Sequence, residues 1–328
     1  MLDILNNDAF SVTTLSAAVT NEQYKPGFLG ERGLFDVDGI TSTTATIEVE
    51  NGKLSLVAVK PRGAAGTPLE STDRFTESFV VPHLPQDDVI LADSIQNVRA
   101  FGAEDQLQTV QRQVVKRLAA MARNNEYTLE SHRMAAIQGK YFDANGNQNS
   151  AYDKFGITEK SVAMALTNAD TEIQDKAIKV LDAIDEALGG LGFDGVEVLC
   201  GKTFWSNLIT NNTVKDAYKA TADAGRLREN GRLSFEFGGI TWIYYHGTTD
   251  VKIPDTEARA YPTGVMDFLI TRYAPANYSE TVNTEGLPYY AKLAPMDFDT
   301  GFKAQVQSNP LNICTRPGAL IKLKNAAS

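Results

Sequence analysis

The alternation of hydrophobic and polar positions predicts a β-rich region in the first quarter of the chain. Apolar and polar residues alternate over residues 43–59, with Asn51 and Gly52 between the two runs, and this is a strong hairpin signal. After a loop rich in proline and glycine, strand-like character returns at residues 75–81. Residues 43–82 are therefore predicted to form a long β excursion with little helix and little core of its own.

A helical period replaces the strand period after residue 103. Between Glu104 and Lys140 the chain has no proline, and its one glycine is Gly139. Apolar residues recur there at steps of three and four, at Leu107, Val110, Val114, Leu118 and Met121. The pattern predicts one amphipathic helix on the order of 55 Å long, with Asn124 and Asn125 as a candidate irregular turn.

The remaining chain mixes helices and strands without regular alternation. A second amphipathic helix is predicted to begin near Thr171, with Asp170 or Thr171 as its cap, and to end at Gly189 and Gly190. The later elements are a helical piece at 204–209 and strands at 196–199, 233–237, 240–245 and 268–271. An α+β fold fits this run better than a doubly wound sheet.

The first 40 residues have apolar positions without a steady period, so we expect an extended arm. Such an arm cannot bury Phe28 and Phe35 by itself. These rings need a neighbouring surface, either in the same chain or in another copy.

Charge and composition narrow the range of partners. The chain carries 41 acidic and 31 basic residues, a net charge of −10, and no dense basic cluster, which disfavours direct binding of nucleic acid. No apolar run approaches the roughly 18 residues of a membrane span, and the N-terminus lacks the pattern of a secretory signal, so we expect a protein made in the cytoplasm without a membrane partner. Cys200 and Cys314 are too few for a disulfide framework and are expected to be buried and reduced.

Motifs that resemble catalytic or ligand sites have the wrong spacing. Residues 201–203 (GKT) lack the upstream glycine of a phosphate loop at the required distance. A calcium loop that began at Asp143 would have Gln148 in place of its glycine and Lys154 in place of its closing glutamate. No nucleophile motif accompanies the three histidines, His83, His132 and His246. We therefore assign no catalytic, cofactor-binding or metal-binding residue.

Several segments in the second half carry a family resemblance. They are aromatic and rich in Asn, Pro and small residues, at 273–280 (YAPANYSE), 283–292 (NTEGLPYYAK) and 307–317 (QSNPLNICTRP). The earlier segments that follow the same family order are 75–84 (FTESFVVPHL), 87–93 (DDVILAD), 134–142 (MAAIQGKYF) and 237–245 (FGGITWIYY). In order and spacing the chain resembles the major capsid protein E family of tailed bacteriophages.

The resemblance implies an α+β, tailed-phage major capsid fold with an N-terminal arm, an extended β loop, a long spine helix, a peripheral domain and an axial domain. The implied divisions are the arm at 1–42, the β loop at 43–90, the peripheral domain with the spine helix at 91–194, the axial domain at 195–300, and a return strand with a C-terminal tail at 301–328.

The implied function is structural. Copies of the chain would form the pentamers and hexamers of an icosahedral head shell around double-stranded DNA, without reading its sequence. The shell would be assembled in the cytoplasm of a bacterial host and become the virion capsid of a phage or prophage. Decoration, scaffolding, protease and portal proteins are implied as further partners, and no cofactor is implied.

Charge and exposure, rather than the family, select residues for contacts between subunits. The candidates are Phe28 and Phe35 on the arm and Lys60, Arg62 and Arg74 on the β loop. Two alternatives remain open at this point: a soluble cytoplasmic α+β enzyme, and a cellular nanocompartment shell on the same fold.

Overall fold

The computed structural model describes residues 11–20, 27–50, 74–91, 103–215 and 234–326. They include the helices α1 (Val12–Thr20), α2 (Phe28–Glu31), α3 (Ala103–Ile137), α4 (Ala151–Lys154), α5 (Ile173–Leu188) and α6 (Lys202–Thr210). The strands of the first half are β1 (Asp36–Gly39), β2 (Thr44–Glu50), β3 (Arg74–Val80), β4 (Leu84–Leu91), β5 (Lys140–Phe142), β6 (Gln148–Ser150) and β7 (Lys160–Ala163). Those of the second half are β8 (Gly195–Cys200), β9 (Ser234–Phe237), β10 (Ile240–Tyr244), β11 (Glu257–Thr263), β12 (Leu269–Tyr273), β13 (Tyr290–Pro295), β14 (Gly301–Ser308), β15 (Pro310–Cys314) and β16 (Ile321–Lys324).

The largest core surrounds a six-stranded mixed sheet with the strand order β7–β16–β11–β8–β10–β9. α5 packs on this sheet through a face of buried residues at steps of three and four, Ile173, Ala177, Val180, Ile184 and Leu188. Trp242 of β10 and Tyr261 of β11 are fully buried in this core. Burial of these large aromatic side chains adds to the hydrophobic stabilisation of this unit.

The six-stranded sheet joins three of the predicted divisions of the chain. α5 and β8 share one core, so the predicted boundary between residues 194 and 195 falls inside a packed unit. β16, close to the C-terminus, lies between β7 and β11, with Ile321 opposite both Lys160 and Ala260. The described packing therefore gives no separation at residue 195.

A second core lies between the spine helix α3 and a three-stranded sheet with the order β13–β14–β4. Val114, Leu118 and Met121 of α3 meet the inner face of this sheet. α1 covers one margin of the core, because Leu15 and Val19 are buried in it and the Ser16 hydroxyl accepts the Ala291 N–H at 3.0 Å.

The spine helix was predicted over residues 104–140, and α3 confirms it at Ala103–Ile137. At about 1.5 Å per residue it is about 52 Å long. It runs without a break through Asn124 and Asn125, so the expected irregularity there is wrong; the Asn125 side chain is buried and reaches the Leu84 carbonyl at 3.5 Å. After the helix Gly139 has a φ of +72°, and a β-carbon there would collide with the Tyr152 ring.

Two local predictions need correction. Residues 1–42 were expected to be an extended arm, yet within the described residues they contain the helices α1 and α2, both packed against α3. The cap of α5 was assigned to Asp170 or Thr171, whereas the helix begins after Glu172, and the Thr171 hydroxyl donates to the Ala165 carbonyl instead. The predicted end of α5 is confirmed by Gly189, which caps it in the left-handed conformation.

Candidate assembly surfaces

The base of the β excursion is a two-stranded ladder in which β2 pairs with β3. The register places Ala45 opposite Phe79 and Glu50 opposite Arg74, so residues 51–73 connect the two ends of the ladder. The predicted turn at Asn51 and Gly52 lies outside the described residues.

Phe79 anchors this base to the body of the protein. Its ring lies 5.0 Å from Tyr141 in an edge-to-face contact and 5.8 Å from Phe155. The Lys154 ammonium lies over the Phe79 ring and also pairs with Glu77 at 2.7 Å. The paired ends of the excursion are therefore fixed in position by packing on one side, while Val80 on the other side is half-exposed.

The five predicted contact residues lie in three different situations. Phe28 and Phe35 are buried in the main core of their own chain, and the Phe28 ring lies 5.7 Å from that of Tyr245. Arg74 begins β3, opposite Glu50. Lys60 and Arg62 lie outside the described residues. The surface that the two rings require is thus supplied within one chain, and a role for any of the five between subunits stays a prediction.

A buried polar network joins the arm to the spine helix. Glu130 of α3 accepts the backbone N–H groups of Leu29 at 2.8 Å and Gly30 at 3.2 Å, at the start of α2. Arg133 donates to Glu126 at 2.7 Å and lies 3.7 Å from Glu130. All three charged side chains are less than a tenth exposed.

The same network reaches the three-stranded sheet. The Tyr289 hydroxyl, just before β13, donates to the second carboxylate oxygen of Glu126. Burial raises the pKa of Glu130, and the N–H donors and the Arg133 guanidinium offset part of this effect. Because these carboxylates bond to α2, to Arg133 and to Tyr289, the network holds the arm, the spine helix and the three-stranded sheet together.

The family segment at 273–289 folds into a closely bonded loop between β12 and β13. The Thr281 hydroxyl donates to the Ala276 carbonyl at 2.7 Å, and the Tyr278 hydroxyl donates to Gln305 of β14 at 3.1 Å. Lys292 bonds Glu280 at 2.8 Å and lies over the Tyr278 ring. These contacts fix the loop as a rigid surface, which its Asn, Pro and aromatic composition predicted.

The turn that joins β13 to β14 carries a solvent-exposed aromatic ring. Phe298 is 98% exposed and has a φ of +57° and a ψ of +20°. The turn is closed by the Thr300 hydroxyl, which donates to the Asp297 carbonyl at 3.0 Å, and by the Met296 N–H, which donates to the Gly301 carbonyl at 2.9 Å. We call residues 296–300 the β13–β14 tip.

The cavities of the described surface include three that lie beside the elements named above. The hydroxyl groove, of about 720 Å³, lies beside β2 and is lined by Thr41, Ser42, Thr44, Asp267, Arg272 and Arg316. The arm cavity, of about 310 Å³, is lined by Phe28, Glu126, Glu130, Tyr245 and Val251. The loop cavity, of about 430 Å³, lies beside the family segment and is lined by Val81, Pro82, His83, Pro275, Val282 and Asn309.

The residues whose sequence pattern resembled a metal, phosphate or catalytic site make ordinary structural contacts. Asp143 accepts the N–H groups of Asn145 and Asn147 at 2.8 and 2.9 Å, which makes an ordinary polar turn. His132 is buried and stacks on Phe142, and desolvation lowers its pKa to about 4. The Gly201 N–H donates to the Glu257 carbonyl.

Two properties of the described residues concern metal binding and membrane insertion. Over the described ranges, no group of three or more His, Cys, Asp or Glu side chains is placed to hold a metal ion. No helix in that part of the chain is both long and apolar enough to cross a membrane.

The polar network and the β13–β14 tip with Phe298 were not predicted from the sequence. The network had a visible signal, because Glu126, Glu130 and Arg133 are spaced by four and three residues and so share one face of the helix. The tip had only the run of acidic residues around an aromatic one between two strand patterns.

Comparison with other proteins identifies the family of this chain. The profile described as phage major capsid protein E matches residues 11–325. The major capsid protein of Pseudomonas phage KPP10 is 30% identical over 325 residues, which cover 92% of each chain.

Solved structures show the same fold at low sequence identity. The crystal structure of a prophage protein of E. coli CFT073 has a TM-score of 0.60 and 14% identity, covering 95% of this chain and 98% of that one. The capsid of cyanophage P-SCSP1u has a TM-score of 0.51 and 12% identity, covering 94% of this chain and 90% of the other. The predicted α+β capsid fold is thereby confirmed. The chain belongs to the phage major capsid protein E family and is a structural protein of the capsid.

Proposed function

We propose that copies of this chain assemble into the icosahedral head shell of a tailed phage or prophage, around double-stranded DNA. The observation that carries the proposal is the anchored ladder of β2 and β3. Phe79 fixes its base to the body, and residues 51–73 connect the last paired residues, Glu50 and Arg74. A rigid base beneath a long connection suits a segment that grips a neighbouring copy.

The mechanism is assembly through contacts of different kinds on one chain. Shell subunits need heterologous contacts that close into rings of five and six, and these contacts must tolerate changes in curvature. The spine helix α3 fixes the three-stranded sheet and the arm through the network of Glu126, Glu130 and Arg133. The subunit therefore has a stiff centre from which its surface segments contact other copies.

The net charge of the chain suits a protein that encloses DNA without recognising its sequence. A net charge of −10 keeps the phosphate backbone from binding the subunit tightly. We place assembly in the cytoplasm of the bacterial host, with portal, scaffolding or protease and decoration proteins as further partners. No catalytic role is proposed, because the carboxylates of the arm cavity are bonded within the polar network.

The test shortens the β excursion without disturbing its base. Since Glu50 and Arg74 are paired, replacing residues 51–73 by Asn-Gly closes the ladder with a two-residue turn. We expect the purified wild-type chain to give shells or capsomers by light scattering and negative-stain microscopy. The shortened chain should keep its melting temperature and remain monomeric.

Two results would contradict the proposal. A wild-type chain that stays monomeric at every concentration would overturn assembly as its function. A shortened chain that forms shells at the wild-type yield would overturn the role of the β excursion.

A further inference from the structure

The β13–β14 tip presents the most exposed large hydrophobic side chain in the described part of the molecule. Phe298 is 98% exposed, and on β4 of the same sheet Val89 and Leu91 are 42% and 50% exposed. The register places Leu91 opposite Gly301, which follows Phe298 by three residues. This end of the three-stranded sheet therefore presents several exposed apolar side chains.

The position of this ring is unfavourable in an isolated chain. A phenyl side chain in water loses the stabilisation that burial of its apolar area would give. A left-handed backbone is also rare for a bulky aromatic residue, whereas glycine or asparagine adopts it readily. In an isolated subunit, glycine at position 298 would therefore be more stable than phenylalanine. The presence of phenylalanine at this position points to a role in binding.

The chain carries a cavity that suits the ring. Asp297 and Asp299 flank Phe298 in sequence, so a receiving cavity should contain no carboxylate. The arm cavity contains Glu126 and Glu130. In the hydroxyl groove a ring would remove water from hydroxyl groups and Asp267, without replacing their hydrogen bonds.

Of these three cavities, the loop cavity has a lining without any carboxylate. Val81, Pro82, Pro275 and Val282 give it apolar walls, and Val282 at its rim is 65% exposed. Its volume of about 430 Å³ is large enough for an aromatic side chain. The rigid family segment forms one wall, so the cavity is largely preformed.

A single chain cannot place its own ring in this cavity. Phe298 precedes β14 by three residues, and Asn309 in the cavity lining follows β14 directly. β14 has eight residues and spans about 27 Å at about 3.4 Å per residue. The ring and the cavity therefore lie at opposite ends of one strand, and the ring that fills a given cavity must come from another molecule.

We propose that Phe298 of one copy inserts into the loop cavity of a neighbouring copy. The contact is heterologous, since two different surfaces of the same chain meet, and such contacts close into rings when the rotation between copies allows it. This inference rests on the proposed assembly function and assigns one of its contacts.

The first experiment separates assembly from folding. Phe298→Gly removes the ring and also relieves the left-handed backbone, so the variant should melt at the wild-type temperature or above. Its yield of shells or capsomers, measured by light scattering and negative-stain microscopy, should fall at least tenfold. Met266→Ala is the matched control, because Met266 is 86% exposed at another turn, and it should assemble at the wild-type yield.

The second experiment identifies the partner surface. A chain with Phe298→Cys and a differently tagged chain with Val282→Cys are co-expressed and oxidised in air. We expect a disulfide-linked heterodimer on a non-reducing gel. A pair of chains with Phe298→Cys and Met266→Cys should give none, and the native Cys200 and Cys314 are buried.

The outcomes distinguish this contact from the general function. If wild-type shells form but Phe298→Gly assembles at the wild-type yield, the ring has no role in assembly and the inference fails while the proposed function stands. If Phe298→Gly blocks assembly but no heterodimer forms, the assignment of the loop cavity is overturned. A wild-type chain that never assembles overturns both proposals.

Discussion

Glu130 accepts the backbone N–H of Leu29 at 2.8 Å, although 101 residues separate the two in sequence. This bond satisfies one of the free N–H groups at the start of α2, and it brings a buried carboxylate to the point where the arm meets the spine helix. Gly27 lies so close to the Glu130 side chain that a β-carbon on Gly27 would overlap it. The position of the arm therefore depends on the absence of a side chain at residue 27.

We predict that Gly27→Ala destabilises the folded chain. The added methyl group must displace Glu130, which loses its bonds to Leu29 and Gly30 and leaves buried polar groups unpaired. The expected loss in the free energy of unfolding is about 1–3 kcal/mol, measured by urea denaturation. Gly192→Ala is the control, because its β-carbon would meet open space. An equal effect of the two substitutions would contradict the close packing of Gly27.

We predict that Arg133 stabilises the folded chain mainly by neutralising the buried carboxylates of Glu126 and Glu130, and less through its own hydrogen bonds. Arg133→Met leaves Glu126 and Glu130 buried together without a cation, and should cost about 3–5 kcal/mol of unfolding free energy. Adding Glu126→Gln and Glu130→Gln to this variant should restore most of the loss, because no buried charge remains. If the triple variant is no more stable than Arg133→Met, then the loss comes from packing and not from charge.

Phe79→Ala should loosen the base of the β excursion. Removing a ring that packs against Tyr141 and Phe155 leaves a cavity, and such substitutions cost about 3–5 kcal/mol. Val80→Ala, at the next position but half-exposed, should change the unfolding free energy by less than about 0.5 kcal/mol. Thermal or urea unfolding of both variants checks the difference. Comparable losses would mean that Phe79 does not anchor the ladder.

His132 should make stability depend on pH below neutrality. Its pKa is lowered to about 4 by burial, so the folded state binds fewer protons than the unfolded state, whose imidazole has a pKa near 6.5. The stabilisation is complete above pH 6.5 and is lost as the pH falls towards 4, by up to roughly 3 kcal/mol.

The measurement compares the wild type with His132→Leu at several pH values. The unfolding free energy of the wild type should fall relative to that of the variant between pH 6.5 and 4. Glu130 acts in the opposite sense, because its pKa is raised and its protonation favours the folded state, and it is present in both proteins. A constant difference between the two proteins would show that His132 is not held neutral.

Part of the fold could be predicted from local sequence patterns, without knowledge of long-range contacts. The spine helix and α5 were predicted almost at their observed ends, since their apolar residues repeat with the helical period and glycine stops them. β3 was predicted at 75–81 and lies at Arg74–Val80. The α1 helix was missed, although Ser11 accepts the Thr14 N–H as a cap and Leu15 and Val19 lie one turn apart.

The local elements and the family order could be predicted from the amino-acid sequence, because helical and strand periods depend on neighbouring residues. Which distant segments meet could be seen only in the folded chain, as when β4 pairs with β14, Glu126 bonds Tyr289, and β16 enters the six-stranded sheet. The longest of these loops, closed by β4 and β14, spans more than two hundred residues, and the stability of such contacts comes from packing and burial that no local pattern records. The exposure of Phe298 belongs to the same class, since a ring is exposed or buried only relative to the whole fold.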